Sequence, residues 1–335
     1  MEARAGHGPG PAVLVTGATG VVGPALIREL AARGYRVRAL VRRSPPAGIL
    51  PETTILVPGD LDDRCALSSA VKGADVVVHL AAMLHRYDPP PELRREIWRV
   101  NVEGTRNLAR AAAGAAVSRL VLFSSISVYG PGDGRSVRDE SSPLNPDGWY
   151  AESKVEAERE ALAVGPAVVL RMAAIHGPGM RGNYVRLMRA MARGVLPLLG
   201  DGRNRRTLVH LQDACRAALL AAESDRAGGR VFNVSDGSTP TLLEIVAAIR
   251  AAMGRPVRVF RVHPAPVRAA AGLLEGASRL LGLRSPFSWK LVDKLTEDVA
   301  VDSSLIRREL GFRPSFDLMR GWRDTVAAHS LGGPG

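Results

Sequence analysis

Ala12-Val13-Leu14-Val15-Thr16-Gly17-Ala18-Thr19-Gly20-Val21-Val22-Gly23 is the stretch on which the fold turns. Ala12–Thr16 is apolar or β-branched throughout and reads as a buried strand, and Val22–Arg33 reads as a helix ended by Gly34. Gly17 permits a tight turn between them, Gly20 lets the backbone come close to a pyrophosphate, and Gly23 allows the helix to pack tightly. The helix N-terminus then faces an anion. A plain turn would also use glycine, but a strand–turn–helix near the N-terminus favours a dinucleotide. Thr19, Val21 and Val22 belong to the same loop and are expected to contact the cofactor with Gly17, Gly20 and Gly23.

Outward from this loop the rhythm continues. Arg36–Val41, Asp75–Leu80, Arg119–Ser124 and Ala167–Arg171 read as strands, with helices predicted over Leu93–Gly114 and Tyr150–Val164. Continuous apolar strands alternating with helices imply an α/β, Rossmann-like doubly wound parallel sheet covered on both faces. From Met172 onward the pattern changes to helices, loops and isolated strands such as Arg230–Val234, which reads as a smaller mixed α/β substrate lobe. The expected organisation is a Gly/Pro-rich disordered lead-in (1–10), a cofactor domain (11–172) to which later segments can return, and a substrate lobe (173–330).

The chain has 335 residues, 46% of them hydrophobic, enough for a sizeable core. Its formal charge of +12 invites a nucleic-acid reading, but the arginines are scattered and aromatics make up only 4%, too few for a base-stacking surface. No nucleic-acid partner is expected. Cys65 and Cys215 lie far apart, which fits a reducing cytoplasm. No apolar run reaches 18 residues, so no membrane span is expected. Ala265–Leu283 is amphipathic, with Arg268, Glu275 and Arg279 among Ala and Leu; a helix packed on the second lobe is favoured over one lying on a membrane.

At the end of the second strand an acidic residue would accept the ribose 2′-hydroxyl of NAD. Here Val41 is followed by Arg42 and Arg43, a pattern that suits a 2′-phosphate, so NADP(H) is favoured over NAD(H). In Gly59-Asp60-Leu61, Asp60 is placed to accept from the adenine amino group.

Tyr150-Ala151-Glu152-Ser153-Lys154 puts a phenol and an ammonium one turn apart on one helix face. A neighbouring ammonium favours the phenolate, making Tyr150 a candidate acid/base at a carbonyl oxygen. The stretch Ser124-Ser125-Ile126-Ser127-Val128-Tyr129-Gly130 precedes it at the end of a strand.

Glycine loop, serine strand and Tyr-x-x-x-Lys in this order resemble the extended short-chain dehydrogenase/reductase family, also called the NAD-dependent epimerase/dehydratase family. The resemblance implies Ser125 as the second catalytic hydroxyl, with Ser124 and Ser127 structural. It implies Leu80, Ala81 and Ala82 of His79-Leu80-Ala81-Ala82, together with Leu61, as cofactor neighbours. Asn101 of Asn101-Val102-Glu103-Gly104-Thr105 stands at the place of a family asparagine, and Lys154 would hold the nicotinamide ribose. His176-Gly177-Pro178-Gly179, Arg181–Leu187, Gly200–His210 and Asp302–Gly311 are similar to the bacterial UDP-sugar 4-ketoreductase and 4-epimerase branch. That similarity implies Asn183 and Arg206 as a diphosphate clamp, a nucleotide-sugar partner and a homodimer. The chain departs from the branch in having Ala174 where many epimerases carry Asn, and in lacking a late Arg-Pro-Gly-Asp element. His79, His85, His176, His210 and His263 have no metal-ligand spacing, so no metal is expected.

The leading expectation is an NADPH-using 4-ketoreductase of a nucleotide-activated sugar, with Ser125, Tyr150 and Lys154 as its catalytic set. Three alternatives stand beside it: a 4-epimerase with retained NAD, a reductase of steroid- or flavonoid-like compounds, and a non-catalytic dinucleotide sensor.

Overall fold

Alternate residues of the central strands feed two separate cores, and this division builds the molecule. The structure is a computed structural model that describes residues 10–84, 89–254, 256–280 and 289–330. The lead-in up to residue 9 and His85 lie outside the described residues.

The first half runs β1 (Ala12–Thr16), α1 (Gly23–Ala32), β2 (Arg36–Val41), β3 (Ile55–Pro58), α2 (Arg64–Val71), β4 (Val76–His79), α3 (Pro91–Trp98), α4 (Gly104–Gly114), β5 (Arg119–Ser125), α5 (Trp149–Leu162) and β6 (Ala167–Met172). The second half continues with β7 (Ala174–His176), α6 (Asn183–Ala192), β8 (Val195–Leu199), β9 (Leu208–His210), α7 (Leu211–Glu223), β10 (Val231–Val234) and α8 (Leu242–Met253). It ends with β11 (Arg258–Val262), α9 (Pro264–Leu280), α10 (Trp289–Thr296), α11 (Ser304–Leu310) and α12 (Leu318–Ser330).

Seven strands form one sheet in the order β10-β6-β5-β4-β1-β2-β3, every neighbour parallel. This is the Rossmann-like doubly wound sheet that the alternation implied, with the order reversing at β1 and β4. Val13 and Val15 of β1 join Val76, Val78, Val121 and Leu170 in a core under α1 and α7. Leu14, Val77, Leu120, Leu122 and Val169 point the other way, into a core with α2, α4 and α5. β10 comes from the second half yet pairs with β6, and α7 packs on α1. Two short parallel pairs, β8 with β11 and β7 with β9, are the other sheets among the described residues.

Two expectations are corrected. The helix expected over Leu93–Gly114 is divided by a π-helical turn, Arg99–Glu103, between α3 and α4. The wider turn carries Asn101, whose amide is fully engaged in joining two parts of the active-site wall. The amphipathic helix, α9, packs mainly on α10 and buries Ala271, while Leu273 and Leu274 are 76% and 55% exposed. It is therefore less embedded than a core helix; residues 281–283 of that stretch lie outside the described residues.

One buried ion pair fixes α5 on the sheet. Arg171 on β6 donates to both carboxylate oxygens of Glu158, from Nη2 at 2.7 Å and from Nε at 3.1 and 3.2 Å. Ser124 Oγ donates to the same carboxylate. Arg171 Nη1 donates to Tyr129 Oη at 2.8 Å, and that hydroxyl donates to Asn233 Oδ1 at 2.9 Å, linking α5, β6 and β10. Removing one partner would leave the other charge buried and unpaired, at a cost of about 3–5 kcal/mol. Glu158→Ala is therefore expected to lower unfolding free energy in urea by about that amount; a loss within ~0.5 kcal/mol, the range of ordinary surface substitutions, would remove the pair from this role.

Candidate active site

The cofactor cleft opens at the C-terminal ends of β1, β2 and β4, beside the point where strand order reverses. Gly17 has φ of +70°, and a Cβ there would lie 2.6 Å from Ala81 N, so only glycine lets the turn sit against the loop after β4. A Cβ on Gly23 would lie 2.3 Å from Ala18 O, so this glycine seats the start of α1 on the turn itself rather than on the strand. No side chain caps the N-terminus of α1, and Thr19 and Gly20 are exposed beside it, a geometry that presents backbone N–H groups to an anion. Gly17, Thr19, Gly20, Arg42, Asp60, Leu61, Leu80, Ala81 and Ala82 all line one cavity of about 520 Å³. Val21, Val22, Gly23, Asn101, Tyr150 and Lys154 are not among its lining residues.

At the adenosine end, Thr19, Val41, Arg42, Arg43 and Asp60 line a further cavity of about 510 Å³. Asp60 Oδ1 accepts from Leu61 N at 2.7 Å, which fixes the carboxylate at the rim. The close-approach turn, the uncapped helix and this arginine pair fit a dinucleotide, and the residues that would hold it are Gly17, Thr19, Gly20, Arg42, Asp60 and the Leu80–Ala82 loop.

The loop after β4 is braced from behind. Asn101 Oδ1 accepts from Met83 N at 2.7 Å, and its Nδ2 donates to Met83 O and to Ser153 Oγ. Ser153 Oγ donates in turn to Tyr150 O at 2.8 Å. Asn101 thus joins the cofactor loop to the helix of Tyr150 rather than facing the cleft. His79 is a satisfied core residue. Thr105 Oγ1 donates to Asn101 O, so His79 Nε2 donates to Thr105, and Nδ1 accepts from Thr16 Oγ1 at 2.6 Å. Burial and the Lys154 charge push its pKa down to about 3.

Ser125 ends β5, and Tyr150 lies in the first turn of α5; the structure brings them together as a hydrogen-bonded pair. Ser125 Oγ also accepts from Ser127 N at 3.2 Å, which orients the hydroxyl. Burial pushes the Tyr150 phenol up to about 12, and its bond with Ser125 offsets only part of that rise. The expected lowering of the Tyr150 pKa by Lys154 is therefore overturned. Lys154 is buried and directs Nζ to Phe123 O at 2.6 Å, down the helix and into the end of β5. Desolvation lowers its own pKa to about 8, against the attraction of Glu158 one turn further on.

Beyond Ser125 a third cavity, of about 530 Å³, reaches into the second half of the chain. Its walls are largely apolar, built from Met172, Ala173, Ala174, Leu187, Leu196, Leu198, Leu242 and Val299. Asn183, at the start of α6, and Arg206 line it, so both expected substrate residues share a pocket with Ser125. Arg206 is not free there: Nη2 donates to the carbonyls of Lys294 at 2.7 Å and Leu295 at 3.0 Å, and Nη1 lies 3.6 Å from Glu297 Oε1. Sequence reading missed Lys294 and Glu297, which also line the pocket; their spacing of three at the end of α10 looks like any surface helix pair. His176 and His210, the last residues of β7 and β9, are buried, stacked on Trp322 and Phe316 respectively, and do not line the pocket. The Nδ1 of His263 accepts from Ala265 N.

Residues 13–235 match the NAD dependent epimerase/dehydratase family. Among individual proteins, the chain is 31% identical over 331 residues to a UDP-glucose 4-epimerase from Vibrio cholerae, covering 94% of each chain. It is 35% identical over 326 residues to a 3-diazoavenalumate denitrifying reductase from a Streptomyces species, covering 93% of this chain and 98% of the other. The solved structure of MoeE5 in complex with UDP-glucuronic acid and NAD superposes with a TM-score of 0.75 at 28% identity, covering 96% of this chain and 99% of MoeE5. A match across the cofactor lobe and full-length relatives agree with the geometry of the cleft, and the chain belongs to the NAD-dependent epimerase/dehydratase family.

Proposed function

We propose that the protein is an NADPH-dependent reductase of a ketone at C4 of a nucleotide-activated sugar. The observation that carries the reading is the Ser125–Tyr150 hydrogen bond, its serine lining the pocket of Asn183 and Arg206 and its phenol held neutral. A neutral phenol is a proton donor, which is what reduction of a carbonyl requires. Bound NADPH supplies hydride to the carbonyl carbon. Ser125 donates to the carbonyl oxygen, and Tyr150 gives its proton to the alkoxide as charge develops there. Lys154, protonated below about pH 8, would hold the nicotinamide ribose. Arg42 supports NADPH over NADH, because it makes no ion pair with a described residue and lines the adenosine end of the cleft, where no carboxylate follows Val41.

A second reading has a specific observation in its favour. The walls near Ser125 are apolar, and Arg206 already has acceptors, which suits reduction of an uncharged hydrophobic ketone on the same catalytic set. The epimerase reading needs oxidation first, hence a phenolate at the start, which burial of Tyr150 disfavours. NAD that stays with the protein through desalting would revive it.

Tyr150→Phe removes one hydroxyl and leaves the cleft intact. Turnover of a ketosugar nucleotide is expected to fall at least about a hundredfold while NADPH affinity, measured by fluorescence titration, changes little. Turnover equal to the parent's would overturn the mechanism. In the same assay Arg42→Ala should weaken NADPH at least about tenfold more than NADH, the worth of one charge-assisted pair. Equal affinities of the parent for both cofactors would refute the assignment. The pH profile follows from the shifted groups. Lys154 loses its charge above about pH 8, whereas Tyr150 stays protonated to about 12, so reductive turnover should hold below pH 8 and decline above it. Lys154→Met should abolish that decline; an unchanged alkaline limb would assign it to another group.

A further inference from the structure

Three cations and one carboxylate line the substrate pocket: Arg186, Arg206, Lys294 and Glu297. Arg206 and Lys294 are the cations in contact with the carboxylate. Glu297 lies 3.6 Å from Arg206 Nη1 and accepts from Lys294 Nζ at 2.9 Å, and Asp147 Oδ2 lies 3.1 Å from the same ammonium. The side chains of Arg206 and Glu297 are only 17% and 16% exposed, so solvent screens their interaction weakly. The carbonyls of Lys294 and Leu295, at the negative end of α10, complete the guanidinium's acceptors. Glu297 is itself held in place, its N–H donating to Asp293 O and its carbonyl accepting from Asn204 Nδ2.

We infer that Glu297 is the charge-selecting residue of this pocket: its carboxylate stands on Arg206 where an anionic substrate group would bind. The inference deepens the proposed nucleotide-sugar reading and rests on it. A diphosphate entering the pocket must displace Glu297 or lie beside it, and either course discards much of the attraction that a free guanidinium would offer. Lys294 opposes this by drawing the same carboxylate away from Arg206. Neutral polar and apolar parts of a ligand meet no such opposition, and the leucine-rich walls receive them. The Arg206 end of the pocket is accordingly tuned to recognise the body of its substrate more than its charge, while Arg186 lines the pocket outside this cluster.

Uridine and UDP, which differ only in the diphosphate, provide the test, titrated by calorimetry into the NADPH-bound protein. In the parent, UDP is expected to bind no more than about tenfold tighter than uridine. Glu297→Gln keeps the shape and removes the charge, and should raise the UDP-to-uridine ratio a further tenfold or more with uridine affinity unchanged. Lys294→Met, which leaves the carboxylate to Arg206 alone, should lower the ratio. A purely structural role would weaken both ligands in both variants. An unchanged or reduced ratio in Glu297→Gln, with UDP still binding, overturns the inference and leaves the nucleotide-sugar reading standing. Failure of every protein to bind either nucleoside, while each binds NADPH, overturns both. If Glu297→Gln does not bind NADPH, a ratio in Lys294→Met at or above the parent's overturns the inference by itself.

Discussion

The buried contact between Glu158 and Arg171 is the constraint on which the site depends, because it sets where α5 lies on the sheet. Charges so deeply buried are tolerable only when each is matched, and here the match includes two-point contact, Ser124 on the carboxylate and Tyr129 on the guanidinium. Tyr150, Lys154 and Glu158 succeed one another at intervals of four on a single helix, so fixing the last fixes the phase of all three. The same network reaches Asn233 on β10, and Asn233 Nδ2 donates to Asp302 O, so α5 and the second half share one polar seam.

That placement has an electrostatic consequence. Burying Tyr150 and Lys154 penalises the charged form of each, raising the phenol and lowering the ammonium. The phenol is thereby kept neutral, a state that favours giving a proton over taking one. Glu158 acts at a distance here: its charge holds Lys154 above the value that burial alone would impose.

The two ends of the ligand space follow different rules. Around the cofactor the surfaces are backbone, glycine and helix terminus, suited to a phosphate group and tolerant of little variation in shape. Around the substrate pocket they are largely leucine and methionine, with Arg186, Arg206, Lys294 and Glu297 as the charged lining. Glu297 offsets part of the positive charge that the three cations bring there.

Much of this was legible in the linear chain because it rests on local rules. The glycine turn needs positive φ at Gly17 and no side chain at Gly23, the strands buried on both faces need unbroken apolar runs, and Tyr150 and Lys154 share a face by helical period alone. The order of motifs then named the family. Tertiary structure decided what depends on neighbours remote in sequence. Only the fold could show that Glu158 meets Arg171, that Asn101 sits in a π-helical turn and braces Met83 instead of facing the cleft, and that β10 closes the sheet from the second half. The sign of the Tyr150 shift was misjudged for the same reason: spacing reports that an ammonium is nearby, but not where it points or how much water is left. Arg206 and Glu297 are 91 positions apart with no pattern between them, and their meeting arises because α10 returns its C-terminal end to the pocket. Periodicity and backbone geometry are written residue by residue, whereas the charge state of a buried group is the sum over everything the folded chain brings around it.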